Sequence, residues 1–460
     1  MLRRNGLNMT SQSWAVRVLV VLALLTFLSG SVFAGPGYIL KVQGNSLQTV
    51  ANTYGLTLQR QIFSNGNFSV GVVSMPANAD PSLASTVAAD PNVLRFSADR
   101  VLPPKSPALP ALSQSVTSLQ AWLLSMQNYQ QKTNSYFNQP AFRLIGAPSA
   151  GQGKGVTVAV IDTAVDPSHP LLAGNLVAGA DCVGSSGSPC AAGTASIWND
   201  AVLDQSTVII LEQSTVIILE QSTVIILEQS TVIILESNTA TALAGTQLPA
   251  DTGHGTMVAS LIAGAAPGAS IMPIRAFQAD GSANLSDIVA AIYYAVNNGA
   301  NVINMSFSTQ SDPTLSDAIT AATAAGVLCV ASTDNTNSNA AVYPAAYNGP
   351  GQQVIGVGSV DSMTGLFKSS FSGYGQPSVD LYAPGENLVA AFPGNHFALA
   401  SGTSFSSALV SGAAATLISK RPGDTLQNYS SALTGSGPQV WNPADGTHRL
   451  SVSAALKNLK

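Results

Sequence analysis

Apolar positions in this chain follow two rhythms. Between residues 37 and 102 they come in short runs separated by polar turns. Tyr38-Ile-Leu-Lys-Val42 predicts a strand, Leu47 to Tyr54 a helix, and Leu56 to Phe63 and Phe68 to Met75 two more strands; Asp80-Pro81 then opens a second helix, and Val93 to Val101 returns as a strand. That β-α-β-β-α-β order is ferredoxin-like. From residue 156 onward, near-continuous β-branched runs predict strands buried on both faces: Val156 to Ile161, Val302 to Phe307 and Val327 to Ser332. Helical stretches at Asp287 to Asn297 and Leu315 to Ala325 fall between them. Such alternation predicts an α/β fold, a parallel sheet with helices on both faces.

One stretch fits neither rhythm. Gln205 to Glu236 is four identical copies of Gln-Ser-Thr-Val-Ile-Ile-Leu-Glu. Four contiguous apolar residues in eight would surround a helix, so no amphipathic helix results. An even period suits strands, because each copy presents the same faces. The array reads as a β-rich surface extension: either an adhesive or substrate-gripping element, or a passenger loop without a role in catalysis.

Composition narrows the class. Charged residues are 9% of 460, against about 25% in ordinary soluble proteins. The net charge of -5 argues against nucleic-acid binding. Residues 1–34 read as a secretory signal, with Arg3, Arg4 and Arg17 ahead of the apolar run Val18 to Leu28 and small residues at Ser31 to Ala34. That run is short for a bilayer, so secretion without stable membrane insertion is expected, an uncleaved anchor being the alternative. Prolines 103, 104, 107 and 110 mark a linker, 103–140, with a helix possible over Ser113 to Tyr136. Cys182 and Cys190 bracket a Gly/Ser loop that a disulfide can close, whereas Cys329 lies inside an apolar strand and reads as a buried free thiol. No Cys/His cluster has metal-ligand spacing.

Three motifs carry candidate chemistry. Val158-Ala-Val-Ile-Asp-Thr163 places Asp162 at a strand's carboxyl end, where open parallel sheets hold their sites and an ionised Asp can fix an imidazole tautomer. A turn or helix cap is the plain alternative. Gly253-His-Gly-Thr256 places His254 between glycines at a helix start, the best setting among the four histidines; His169 reads as a loop residue. Ser401-Gly-Thr-Ser-Phe-Ser406 places Ser404 at the start of an Ala-rich helix, where its own N–H and the helix's positive end can meet a developing oxyanion, or where a serine simply caps.

The order Asp, His, Ser resembles the subtilisin-like serine endopeptidases, peptidase family S8. The resemblance covers most of 141–460. It implies a three-layer subtilisin-like catalytic domain there, interrupted by the array, and an inhibitory, chaperone-like propeptide over 37–102. It further implies Asp162, His254 and Ser404 as catalytic residues and Asn335 as oxyanion donor. Ser306, Phe307 and Ser308 correspond to the strand that substrate joins, and Val342 to a residue flooring a shallow pocket for small or medium apolar side chains. Protein or peptide substrates and the chain's own propeptide are the implied partners. No cofactor is required; calcium is possible, but the loop of the usual strong site is missing after the helix that starts at Thr256. Ala164, Met257, Ser260, Asp334 and Ala408-Leu409 depart from the family pattern. Those departures keep two alternatives open: a catalytically weakened peptide-binding protein of this fold, and a surface or adhesion protein.

Overall fold

The structure, a computed structural model, describes residues 37–102, 133, 136–147, 152–184, 190–192, 216–217, 224–225, 231–234, 253–349, 351–441 and 446–459. The expected signal, most of the linker with its helix over 113–136, and most of the array lie outside the described residues.

The N-terminal unit runs β1 (Gly37–Gln43), α1 (Leu47–Thr53), β2 (Thr57–Ser64), β3 (Phe68–Ser74), α2 (Leu83–Ala88) and β4 (Val93–Ala98). Its antiparallel sheet has the order β4-β1-β3-β2. The period of two decides what each face does. Leu40, Val42 and Val73 turn toward Val50, Ala51 and Val87 of the two helices. Ile39, Ile62, Phe63 and Val72 turn the other way and join the core of the larger unit, the consecutive Ile62 and Phe63 both doing so where the ladder with β3 shifts register between Gln61 and Phe63.

The strand expected over Val93 to Val101 is two strands. β4 stops at Ala98, and β5 (Val101–Leu102) leaves the sheet to pair with β13 (Ala283–Asn284) of the larger unit. The residues between explain the break. Asp99 Oδ1 accepts from the Ser286 N–H (2.9 Å), and Arg100 forms an ion pair with Asp312 (3.0 Å).

After the short helix α3 (Pro140–Leu144), the larger unit is built on an eight-stranded sheet. Its strands are β6 (Thr157–Asp162), β7 (Ala180–Asp181), β8 (Ala191–Ala192), β12 (Ser270–Arg275), β14 (Val302–Met305), β15 (Leu328–Ser332), β16 (Val354–Val360) and β17 (Leu381–Pro384). They lie in the order β17-β16-β15-β14-β6-β12-β7-β8, all parallel except the edge pair β7–β8. Val158 and Val160 of β6 face α4 (His254–Ala265) and α7 (Thr403–Lys420). Ala159 and Ile161 face α5 (Leu285–Asn297) and α6 (Pro313–Ala324). The result is three layers, helix, sheet and helix. Helices α8 (Leu426–Thr434) and α9 (Val452–Asn458) add to the α7 side. The strand expected over Val302 to Phe307 ends at Met305; Ser306 to Ser308 run on outside the sheet ladder.

A second sheet stands beside α4, where the Ala391 N–H of its hairpin donates to Ser260 Oγ (3.0 Å). The hairpin β18 (Leu388–Phe392) and β19 (His396–Ser401) is extended by the described array residues, β9 (Val216–Ile217), β10 (Val224–Ile225) and β11 (Thr231–Ile234), in the order β10-β9-β11-β19-β18. β11 is antiparallel to β19, with Thr231 opposite Ser401 and Ile234 opposite Ala398.

Candidate active site

Asp162 is the last residue of β6, His254 the first of α4 and Ser404 the second of α7. All three stand at the carboxyl edge of the parallel sheet, where strands end and helices begin. Asp162 Oδ1 accepts from His254 Nδ1 (2.8 Å) and from the Thr163 N–H (2.7 Å), and both side chains are almost fully buried. A carboxylate at Nδ1 assigns the imidazole proton to that nitrogen and leaves Nε2 as the basic one.

The two glycines flanking His254 are there for space. Gly253 has φ +82°, and a Cβ on it would meet the Phe392 ring at 2.7 Å. A Cβ on Gly255 would fall 2.4 Å from the Thr163 carbonyl oxygen. The start of α4 therefore lies directly against the end of β6, with Gly255 N–H donating to Thr163 Oγ1 (3.0 Å).

Phe405, next to Ser404, is buried with its ring centroid 5.6 Å from that of His254, which sets the imidazole beside the first turn of α7. Ser404 Oγ donates to the Ser306 carbonyl (3.3 Å). Asn335, past the end of β15, accepts at Oδ1 from the Thr403 N–H (2.9 Å), with Thr403 Oγ1 also at 2.9 Å. With the acceptor end tied to the residue before Ser404, the donor end, Nδ2, is turned the other way. Thr403 was missed by sequence reasoning. Its signal is a hydroxyl residue between Gly402 and Ser404.

Asp334, beside Asn335, is one of the positions that depart from the family pattern. Its side chain turns toward Gly373: a Cβ there would fall 2.6 Å from Asp334 Oδ1, while Oδ2 accepts from Thr336 Oγ1 (2.6 Å). A glycine elsewhere in the chain thus makes the room this carboxylate takes.

Ser306 to Ser308 and Val342 are brought together. Thr309 and Tyr343 exchange two backbone hydrogen bonds (2.6 and 3.0 Å), so the segment after Ser308 runs beside the one after Val342. Phe307 rests on Phe277 (5.0 Å), and the Val342 N–H donates to Ser378 Oγ (3.0 Å).

His169 is buried, with Nε2 donating to the His396 carbonyl (2.9 Å) and Nδ1 accepting from the Leu171 N–H (3.2 Å); burial holds its pKa below the ordinary value. It braces a loop against β19 and takes no place beside Asp162 and His254. Cys182 and Cys190 are joined (S–S 2.01 Å), and Cys329 is a buried thiol pushed up to about 12 by desolvation. Among the described residues no group of three or more His, Cys, Asp or Glu side chains could hold a metal ion, and no helix is long and apolar enough to cross a membrane.

Fold and site together define a class: a three-layer α/β protein with a carboxylate, an imidazole and a serine gathered at one edge of a parallel sheet. Residues 153–446, well over half the chain, match the subtilase family, peptidase S8. The chain belongs to that family. It is 41% identical over 178 residues to the thermophilic serine proteinase of Bacillus sp. strain AK1, covering 36% of this chain and 43% of that one. To subtilisin BL of Lederbergia lenta it is 37% identical over 180 residues, covering 37% and 64%. These relatives are therefore matched over only about half of their own length. Among solved structures, fervidolysin from Fervidobacterium pennivorans shares the fold, with a TM-score of 0.60 at 19% identity over 92% of this chain and 61% of that one.

Proposed function

We propose that this protein is an exported serine endopeptidase, made as a precursor whose N-terminal unit, residues 37–102, occupies the larger unit until the linker is cut. The observation that supports it most is the buried Asp162–His254 hydrogen bond beside the first turn of α7, which carries Ser404. Ser404 Oγ attacks the scissile carbonyl carbon while its proton passes to His254 Nε2. Asp162 steadies the imidazolium at Nδ1. The oxyanion is held by the Ser404 N–H and Asn335 Nδ2, a term usually among the largest in such reactions. The C–N bond then breaks as His254 returns the proton to the leaving amine, giving an acyl-enzyme. Water repeats the sequence and frees the acid.

Substrate would lie as a strand along Ser306 to Ser308, with the side chain before the cut above Val342. A branched residue there removes depth, so small or medium apolar side chains are favoured. Parent and Ser404→Ala chains, expressed whole and given a peptide library, test this reading. The parent is expected to mature and cleave. Ser404→Ala should give folded, uncut precursor with turnover lower by about six decades, the loss that follows removal of the nucleophilic serine from subtilisin itself. Turnover near that of the parent would exclude Ser404 as nucleophile.

A further inference from the structure

Beneath the first turn of α7, four polar side chains sit in an otherwise apolar core. Ser411 Oγ donates to Asn304 Oδ1 (2.9 Å), Asn304 Nδ2 donates to Ser306 Oγ (2.8 Å), and Ser306 Oγ donates to the Ser404 carbonyl (3.1 Å). Ser407 Oγ donates to the same carbonyl (2.8 Å) and lies 3.1 Å from Ser306 Oγ. Asn304, Ser407 and Ser411 have no solvent exposure, and Ser306 very little.

The direction of this chain can be followed one group at a time. A serine has one hydroxyl proton, and an amide side chain has one acceptor end and one donor end. With the Ser411 proton on Oδ1, Asn304 presents Nδ2 to Ser306. Ser306 then accepts from Asn304 and keeps its own proton for the Ser404 carbonyl, to which Ser407 Oγ also donates. In return the Ser306 carbonyl accepts from Ser404 Oγ. If Asn304 were turned end for end, the Ser306 proton would be drawn to Oδ1 and away from Ser404.

We propose that Asn304 and Ser411 are positioning residues for the nucleophile: by orienting the Ser306 hydroxyl they hold the residue whose N–H and Oγ both act on substrate. This inference rests on the endopeptidase reading. Neither residue lines the segments where substrate would lie, so the effect belongs in kcat.

Ser411→Ala removes the first donor of the chain and frees the amide to turn. On the matured whole chain, kcat for a peptide substrate is expected to fall about tenfold, the scale of one buried hydrogen bond, with KM within about twofold. Ser411→Thr, which keeps a hydroxyl, should recover most of it, and Ser411→Cys, with a weak S–H donor, should fall between. Should the alanine variant not accumulate folded, the cysteine variant carries the same test. A lowered melting temperature with unchanged kcat, or a change in KM alone, would assign the network to stability and overturn the inference. Parent turnover that Ser404→Ala abolishes keeps the two questions separate. A parent without turnover removes the endopeptidase reading and this inference with it.

Discussion

Two additions flank the subtilase core, the N-terminal unit and the octapeptide array, and both join it through a short antiparallel strand pair. β5 pairs with β13, which leads into α5, and β11 pairs with β19, which leads into Ser404. There the likeness ends. Around β5 the contact is specified by side chains that occur once. Arg60, almost fully buried, donates to the Cys182 carbonyl (3.1 Å) and Ser286 Oγ (3.0 Å) and forms an ion pair with Asp287. Phe63 stacks on Tyr293 (4.3 Å), and Lys41 and Arg95 meet Asp317. Around β11 the pairing strand belongs to one of four identical copies, so its neighbours in sequence offer β19 the same residues in the same order. Backbone pairing joins strands, but only unlike side chains fix which strand and which register.

The sharpest way to break this comparison is Arg60→Ala in the Ser404→Ala precursor. It leaves Asp287 buried without its cation, a change that costs about 3–5 kcal/mol in similar settings. Melting of the N-terminal unit should separate from that of the larger unit, as read by calorimetry. A single, unshifted transition would mean that β5 pairing and the apolar face suffice.

A smaller effect is expected at Glu386, in the turn that opens the β18–β19 hairpin. Burial raises its pKa, outweighing Lys368 nearby. A carboxyl whose folded pKa is raised opposes folding when ionised, so that penalty is present above the folded value and is removed as pH falls through it toward the unfolded value. Glu386→Gln should therefore raise stability near neutral pH and lose that advantage as pH falls to the ordinary glutamate value, about 4.3, because the raised group takes up its proton before that point. Denaturant midpoints at the two pH values measure the difference. An equal gain at both would assign it to shape rather than charge.

The smallest effect is expected from deleting Gln213 to Glu228, two whole copies that include β9 and β10 while leaving β11 in place. Loop closure changes by only about 0.6 kcal/mol per halving of length, so stability and peptide hydrolysis should stay near the parent's. Aggregation, followed by light scattering, should fall, because two Val-Ile-Ile-Leu runs of high β-propensity, with β10 at the edge of its sheet among the described residues, are lost. A large loss of turnover in soluble protein would show that the array shapes the site, and unchanged aggregation would remove the case for its stickiness.

What was legible in the sequence was local. The run Val156 to Ile161 declares a buried strand, and a His between two glycines declares a crowded helix start; the structure supplies the crowding in the Thr163 carbonyl and the Phe392 ring. What was illegible depends on partners far along the chain. The break between β4 and β5 follows from Asp99 meeting Ser286, and the tolerance of Asp334 from Gly373, neither marked by any periodicity. Asn304 and Ser411 read as ordinary residues of a strand and a helix, 107 positions apart, until the sheet and α7 are packed together.

The contacts around Arg60 and β5 also have a meaning in terms of concentration. While the chain is continuous, the N-terminal unit meets its docking face within one molecule, at an effective concentration that dilution does not change. A cut anywhere in 103–140 changes none of these contacts, yet it turns a unimolecular equilibrium into a bimolecular one. Occupancy of the face then follows dilution. In the proposed precursor, a docking affinity ordinary for separate proteins would keep the uncut molecule closed and let the cut one open once it diffuses into a large volume.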